Sequence, residues 1–139
     1  RTIFRAYFPN LNRSKMPNNG RSGREFICHS ERLKTGSKGV RFDILDGEVT
    51  RAAFVVRHEH GVAAFLNQCT HRALELDWSP GEFFDLDGKN LICATHGALY
   101  SPKNGECLGG PCSGTALTQI QIVEEQGDVF LTDHRYHIG

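Results

Sequence analysis

The chain has 139 residues, 39% of them hydrophobic and 23% charged, which fits one folded domain and excludes both a disordered chain and a coiled coil. Its longest apolar runs, Ala52 to Val56 and Val62 to Leu66, are strand-sized and fall far short of the ~18 residues that a membrane-crossing helix needs. Formal net charge is +0, so the chain as a whole is no polycation for nucleic acid, and no nucleic-acid partner is expected.

In chain order, residues 1–24 read as a flexible basic arm. Arg1, Arg5, Arg13, Lys15, Arg21 and Arg24 precede the first acid, Glu25, and leave the remainder with a net charge of −6. The arm is rich in Asn, Ser, Pro and Gly, the composition of a solvated tail, and lacks the apolar stretch of a signal peptide. Met16 is a candidate native start. From Glu25 onward, short apolar or alternating runs recur: Glu25 to His29, Val40 to Leu45, Ala52 to Arg57, Val62 to Asn67, Leu91 to Cys93, Ala98 to Ser101, Leu117 to Val123 and Val129 to Thr132. Beta-branched and aromatic residues dominate them and Gly-containing breaks separate them, which predicts an all-β domain over 25–133. Val40, Phe42 and Ile44 alternate with Arg41 and Asp43, the period of a half-buried strand. Glu59-His60-Gly61 and Gln126-Gly127-Asp128 are the expected hairpin turns. Residues 134–139 read as a C-terminal tail.

The cysteines are Cys28, Cys69, Cys93, Cys107 and Cys112. An odd number in a chain able to build its own core argues against a secreted disulfide framework and for a reducing cytoplasm, where cysteines serve as metal ligands or small buried hydrophobes. Cys28, in a strand pattern, reads as packing. Cys107 and Cys112 flank Gly109-Gly110-Pro111 and also read as packing, with a redox-active pair or a resolving thiol as the alternatives.

Two motifs carry the chemistry. Cys69-Thr70-His71 is a C-x-H and Cys93-Ala94-Thr95-His96 a C-x-x-H, each at the end of an expected strand, with 21 residues between His71 and Cys93. Two thiolates and two imidazoles suit either a tetrahedral zinc site or a mixed-ligand iron–sulfur site. Structural zinc sites usually group like ligands on one knuckle, whereas here each knuckle mixes Cys with His, which suits a dinuclear cluster better.

On these motifs the sequence resembles the Rieske [2Fe-2S] family, roughly over Glu25 to Thr132 and most strongly over Asn67 to Gly114. Gly97 after the second His, Tyr100 four residues beyond that His, and Gly109-Gly110-Pro111, similar to the family's proline loop, extend the likeness. The gap between the motifs is longer than is usual in the family, so the segment 72–92 should carry an insertion. The resemblance implies stacked antiparallel sheets with a small cluster-binding subdomain inserted at about 67–114. It further implies one Rieske-type [2Fe-2S] cluster, with Cys69 and Cys93 on one iron, His71 and His96 on the other, and Tyr100, Gly97, Gly110 and Pro111 around them. Two ferric ions, two sulfides and two thiolates sum to a neutral cluster, which accepts an electron more readily than a four-thiolate one: about −150 to +300 mV against about −400 mV. The high-potential branch has an extra cysteine in each loop and a serine near the second His; here those positions are Leu74, Thr95 and Ala98. Fewer hydrogen bonds to sulfur favour a low potential.

The expected function is that of a small ferredoxin-like electron carrier with no catalytic residues, since no second 2-His-1-carboxylate set is evident. Its partners would be a flavin reductase or an oxygenase. A redox-sensing or regulatory subunit, and a structural zinc module, are the alternatives. Glu75, Asp77, Glu82, Asp85 and Asp87, interspersed with Trp78, Phe83 and Phe84, could steer a basic redox partner through Glu82, Asp85 and Asp87.

Overall fold

A computed structural model describes residues 24–70, 74–94 and 97–139; the basic arm before residue 24 lies outside them. Strand is the main regular structure of the described residues, every strand pairing is antiparallel, and one short 3-10 turn, Ser30–Arg32, follows the first strand. In chain order the strands are β1 (Glu25–His29), β2 (Val40–Asp46), β3 (Val49–His58), β4 (Gly61–Leu66), β5 (Leu91–Ile92), β6 (Leu99–Tyr100), β7 (Cys107–Gly109), β8 (Gln119–Ile120), β9 (Ile122–Glu125), β10 (Asp128–Leu131) and β11 (His137–Ile138). They make a five-stranded sheet in the order β11-β2-β3-β4-β8 and two three-stranded sheets, β9-β10-β1 and β5-β6-β7. The all-β expectation holds. Among the described residues no helix is long and apolar enough to cross a membrane.

The β3–β4 hairpin organises the rest. It turns through Glu59 and His60, with His58 paired to Gly61. Ala53, Phe54, Val55 and Val56 are all buried, so β3 lacks the period of two that marks β2, where Val40 and Ile44 are buried and Arg41 is exposed. The reason is that both faces of the hairpin are covered. Ala53, Val55 and Ala64 pack with Val40, Ile44, Ile120, Val129 and Leu131 in one core. Phe54, Val56, Ala63 and Phe65 face a second core containing Cys69, Phe83, Cys93 and Tyr100. A continuous apolar run is what a strand buried on both sides requires.

Three expectations are corrected. The run Leu117 to Val123 is two strands, not one: β8 pairs with β4 and β9 pairs with β10. The chain changes sheets at Gln121, whose N–H donates to the Asp133 carboxylate at 3.0 Å and whose carbonyl accepts from Thr132 N–H. Strand β7 was not anticipated, since three residues are too few for any periodicity to register. Residues 134–139 are not a free tail, because β11 pairs with β2 and Tyr136 is buried. Glu25 holds this end in place, accepting from Ile138 N–H at 2.9 Å and contacting the His137 ring at 2.9 Å. The Gln126–Gly127 turn joins β9 to β10 as expected; both residues have positive φ (52° and 83°), the twist that a two-residue hairpin needs and that glycine supplies without strain.

Asp133 anchors the crossing between sheets. It is buried, and the Arg135 guanidinium donates to both of its oxygens, at 2.9 and 2.7 Å, while the N–H groups of Gln121 and Arg135 donate as well. Arg135 first, then the backbone N–H groups, hold the Asp133 carboxyl well below the usual carboxylate range against the opposing effect of burial. A depressed folded-state pKa contributes stability above the unfolded value of ~3.9 that is lost as pH falls. The isosteric Asp133→Asn variant is therefore expected to be less stable by about 1–3 kcal/mol at pH 7, with the deficit shrinking below about pH 4. Urea melts at both pH values check this; a deficit independent of pH would assign the loss to packing instead.

Candidate metal centre

Two tight loops rise from the ends of β4 and β5. In the first, Cys69 N–H donates to Leu74 O at 2.8 Å. Its base is set by buried Asn67, which accepts from Leu76 N–H at 2.8 Å and donates to Asp77 at 3.3 Å. In the second, Cys93 N–H donates to Ala98 O at 2.9 Å and Gly97 N–H returns to Cys93 O at 3.0 Å. Ala94 N–H donates to Leu76 O at 3.0 Å and ties the loops together. Cys69 and Cys93 are thereby brought into one buried cluster, 3% and 1% exposed. His71 and His96, with Thr95, lie outside the described residues, and among the described ones no three His, Cys, Asp or Glu side chains converge on a metal position.

Tyr100 is fully buried on β6, with its hydroxyl 3.4 Å from Cys69 Sγ. The same hydroxyl accepts from Thr70 N–H at 3.3 Å and lies 2.8 Å from Thr70 Oγ1. Burial foremost, then the contact with Cys69, pushes the Tyr100 phenol up, so it remains a donor at neutral pH. Thr70 Oγ1 is also 2.7 Å from Thr115 Oγ1. The sequence reading missed Thr115, which lies 45 positions from Thr70 and in no motif.

The Gly109-Gly110-Pro111 segment lies against the second loop. Gly110 has φ +89° and sits so close that a Cβ there would be 3.1 Å from Ala98 Cα. On either side of it, Cys107 and Cys112 are joined in a disulfide with Cα atoms 5.7 Å apart. This corrects the reading of these two cysteines as plain packing: the reversal of the chain between them sets two side chains five positions apart within bonding reach. Cys28, in contrast, is buried in the other core, where burial raises its thiol pKa.

The segment between the loops folds as a hairpin of its own, with Asp85 N–H donating to Asn90 O and Phe84 bridged to Leu91. Phe83 and Phe84 are core residues, whereas Trp78 and Leu86 are exposed. Most of its acids are engaged locally. Glu75 and Asp77 pair with Arg41 at 2.8 and 3.6 Å, and Asp85 accepts from Lys89 and Asn90 N–H groups.

Two buried thiols beside a phenol donor, on loops that each also carry a histidine in sequence, fit one end of a mixed-ligand [2Fe-2S] cluster. Residues 24–126 match the Rieske [2Fe-2S] domain. The chain belongs to the Rieske [2Fe-2S] family. As a Rieske domain it takes a Rieske-type [2Fe-2S] cluster. Its fold is similar to the ferredoxin of carbazole 1,9a-dioxygenase from Nocardioides aromaticivorans IC177 (TM-score 0.64, 22% identity, covering 81% of this chain and 99% of that one). It is also similar to the Sphingomonas yanoikuyae B1 ferredoxin (TM-score 0.59, 20% identity, 79% and 98%). The terminal oxygenase of carbazole 1,9a-dioxygenase from Nocardioides aromaticivorans IC177 aligns as well (TM-score 0.60, 20% identity, 84% of this chain), but the Rieske chain spans only 30% of it. It likewise spans 28% of the chain matched in an oxygenase–ferredoxin complex of carbazole 1,9a-dioxygenase. At these identities the likenesses show the fold. No curated protein matches the sequence.

Proposed function

We propose that the protein is a one-electron carrier, a Rieske-type ferredoxin without catalytic residues of its own, that serves a separate oxygenase or flavin reductase. The observation that carries this reading is the placement of Cys69 and Cys93 in one buried cluster, with the Tyr100 hydroxyl against Cys69 Sγ. Cys69 and Cys93 hold one iron, His71 and His96 the other, with Gly97, Gly110 and Pro111 around them. When bound, the cluster takes up and releases a single electron. The chain's own residues exclude water from the thiolate side through Leu76, Phe83 and Leu91, and Tyr100 supplies a hydroxyl near the sulfur. With Ala98 in place of a second hydroxyl donor, the potential falls toward the low end of the Rieske range. The subdomain over about 67–114 is the cluster-binding unit of a domain running from 25 to 133.

An oxygenase partner is supported by the resemblance to ferredoxins that are described with one, including a complex of reduced oxygenase and oxidised ferredoxin in carbazole 1,9a-dioxygenase (TM-score 0.62, 93% of that chain). If acids steer a basic partner, Glu82 and Asp87 are better placed to do so than Glu75, Asp77 or Asp85, which already have partners of their own.

The deciding experiment is an EPR spectrum of the purified, dithionite-reduced protein. Mixed nitrogen and sulfur ligation is expected to lower the average g value below that of an all-thiolate [2Fe-2S] centre. A silent sample with stoichiometric zinc would replace the carrier with a structural zinc module.

A further inference from the structure

Counting protons along the hydroxyls beside Cys69 sets the direction of their hydrogen bonds. The carbonyl of Cys112 can only accept, and Thr115 Oγ1 lies 2.5 Å from it, so the one hydroxyl proton of Thr115 is engaged there. Toward Thr70 Oγ1, at 2.7 Å, Thr115 can then only accept, and Thr70 must donate. With its own proton so placed, Thr70 accepts from the Tyr100 hydroxyl at 2.8 Å. Thr70 N–H occupies a lone pair of the phenol oxygen at 3.3 Å. The single phenol proton therefore has two acceptors, Thr70 Oγ1 and Cys69 Sγ at 3.4 Å, and the hydroxyl chain draws it toward the threonine.

We propose that Thr115 is a positioning residue: anchored on the Cys112 carbonyl, it fixes the polarity of the Thr115–Thr70–Tyr100 chain and so weakens the hydrogen bond from Tyr100 to the Cys69 sulfur. This rests on Cys69 being a cluster ligand. A hydrogen bond to a ligand sulfur stabilises the more negative, reduced state, so Thr115 keeps the potential low. The mere presence of a tyrosine near the cysteine overstates the stabilisation, because its proton is shared. The anchor carbonyl belongs to a cysteine of the disulfide, which holds the far end of the chain in place.

The test is the reduction potential of the loaded protein by redox titration, with iron content and the EPR line shape as controls. Thr115 is exposed, so Thr115→Val is expected to fold. In it, Thr70 is released to donate to the phenol oxygen, and the phenol proton turns to sulfur. The equilibrium constant for reduction is expected to rise about tenfold, or about 59 mV for one electron. Thr115→Ser restores the hydroxyl and should return the potential to that of the parent protein. Adding Tyr100→Phe to Thr115→Val should abolish the gain. An unchanged or lower potential in Thr115→Val with an intact spectrum overturns the proposal, and so does a gain that survives Tyr100→Phe. Failure of the ligand assignment has a different signature: Cys69→Ser would then keep the Rieske line shape.

Discussion

Cys93→Ser and Cys69→Ser are each expected to reduce bound iron from the two atoms of a [2Fe-2S] cluster to nearly none. Both side chains lie in the core shared with Phe83, Leu91 and Tyr100, where a serine hydroxyl provides neither a soft ligand nor an apolar filler. Because the metal-bound form is the one that folding favours, the thermal midpoint should fall together with the iron. Cys28→Ser is the control: Cys28 packs in the opposite core with Ile44 and Val129, and its loss should leave iron content unchanged. Iron per chain and the visible absorbance of the three variants decide the matter. Two irons retained in Cys93→Ser would remove that cysteine from the ligand set.

Phe54→Ala is expected to cost about 3–5 kcal/mol. The Phe54 ring is fully buried, stacked on Phe83 with centroids 3.9 Å apart, and 5.7 Å from the Phe65 ring. Phe54 belongs to the central hairpin and Phe83 to the segment between the two ligand-bearing loops, so this stack is where the sheet supports the site. Fully exposed Leu86 lies in the same segment, and Leu86→Ala should change stability by less than about 0.5 kcal/mol. Chemical denaturation of the two variants provides the comparison. Equal losses would mean that the stack does not hold the segment to the sheet.

The sequence was most legible where a local rule governs the structure. Strand β1 begins and ends where its run of residues does, and β2 shows its alternation in Val40, Arg41 and Ile44 because one face meets the core and the other meets water. The turn at Gln126–Gly127 is local chemistry, and the C-x-H and C-x-x-H spacings were enough by themselves to point to the family. What was not legible depends on distant residues. Gln121 divides an apparently continuous strand only because the Asp133 carboxylate is there to receive its N–H. His137 and Ile138 are a strand because Glu25 and β2 are beside them, which the mixed run His134 to Gly139 does not reveal by itself. The disulfide required knowing that the chain reverses at Gly110. Thr115 has significance only through the neighbours that the fold brings to it, and nothing in its own surroundings in the sequence marks it.

The clasp at Glu25 bears on the order in which the domain can be made. Its two partners are 112 and 113 residues further along the chain, and β1 finds its ladder only on β10, where Cys28 faces Val129. During synthesis the first strand therefore emerges long before anything exists for it to pair with. The β2–β3–β4 meander, whose strands pair with one another through short turns, can assemble early. Until residues 128–131 have been made, β1 has no strand to pair with, so the edge that it forms in the β9-β10-β1 sheet, with exposed Phe26 on it, is added to the domain after the meander rather than before it.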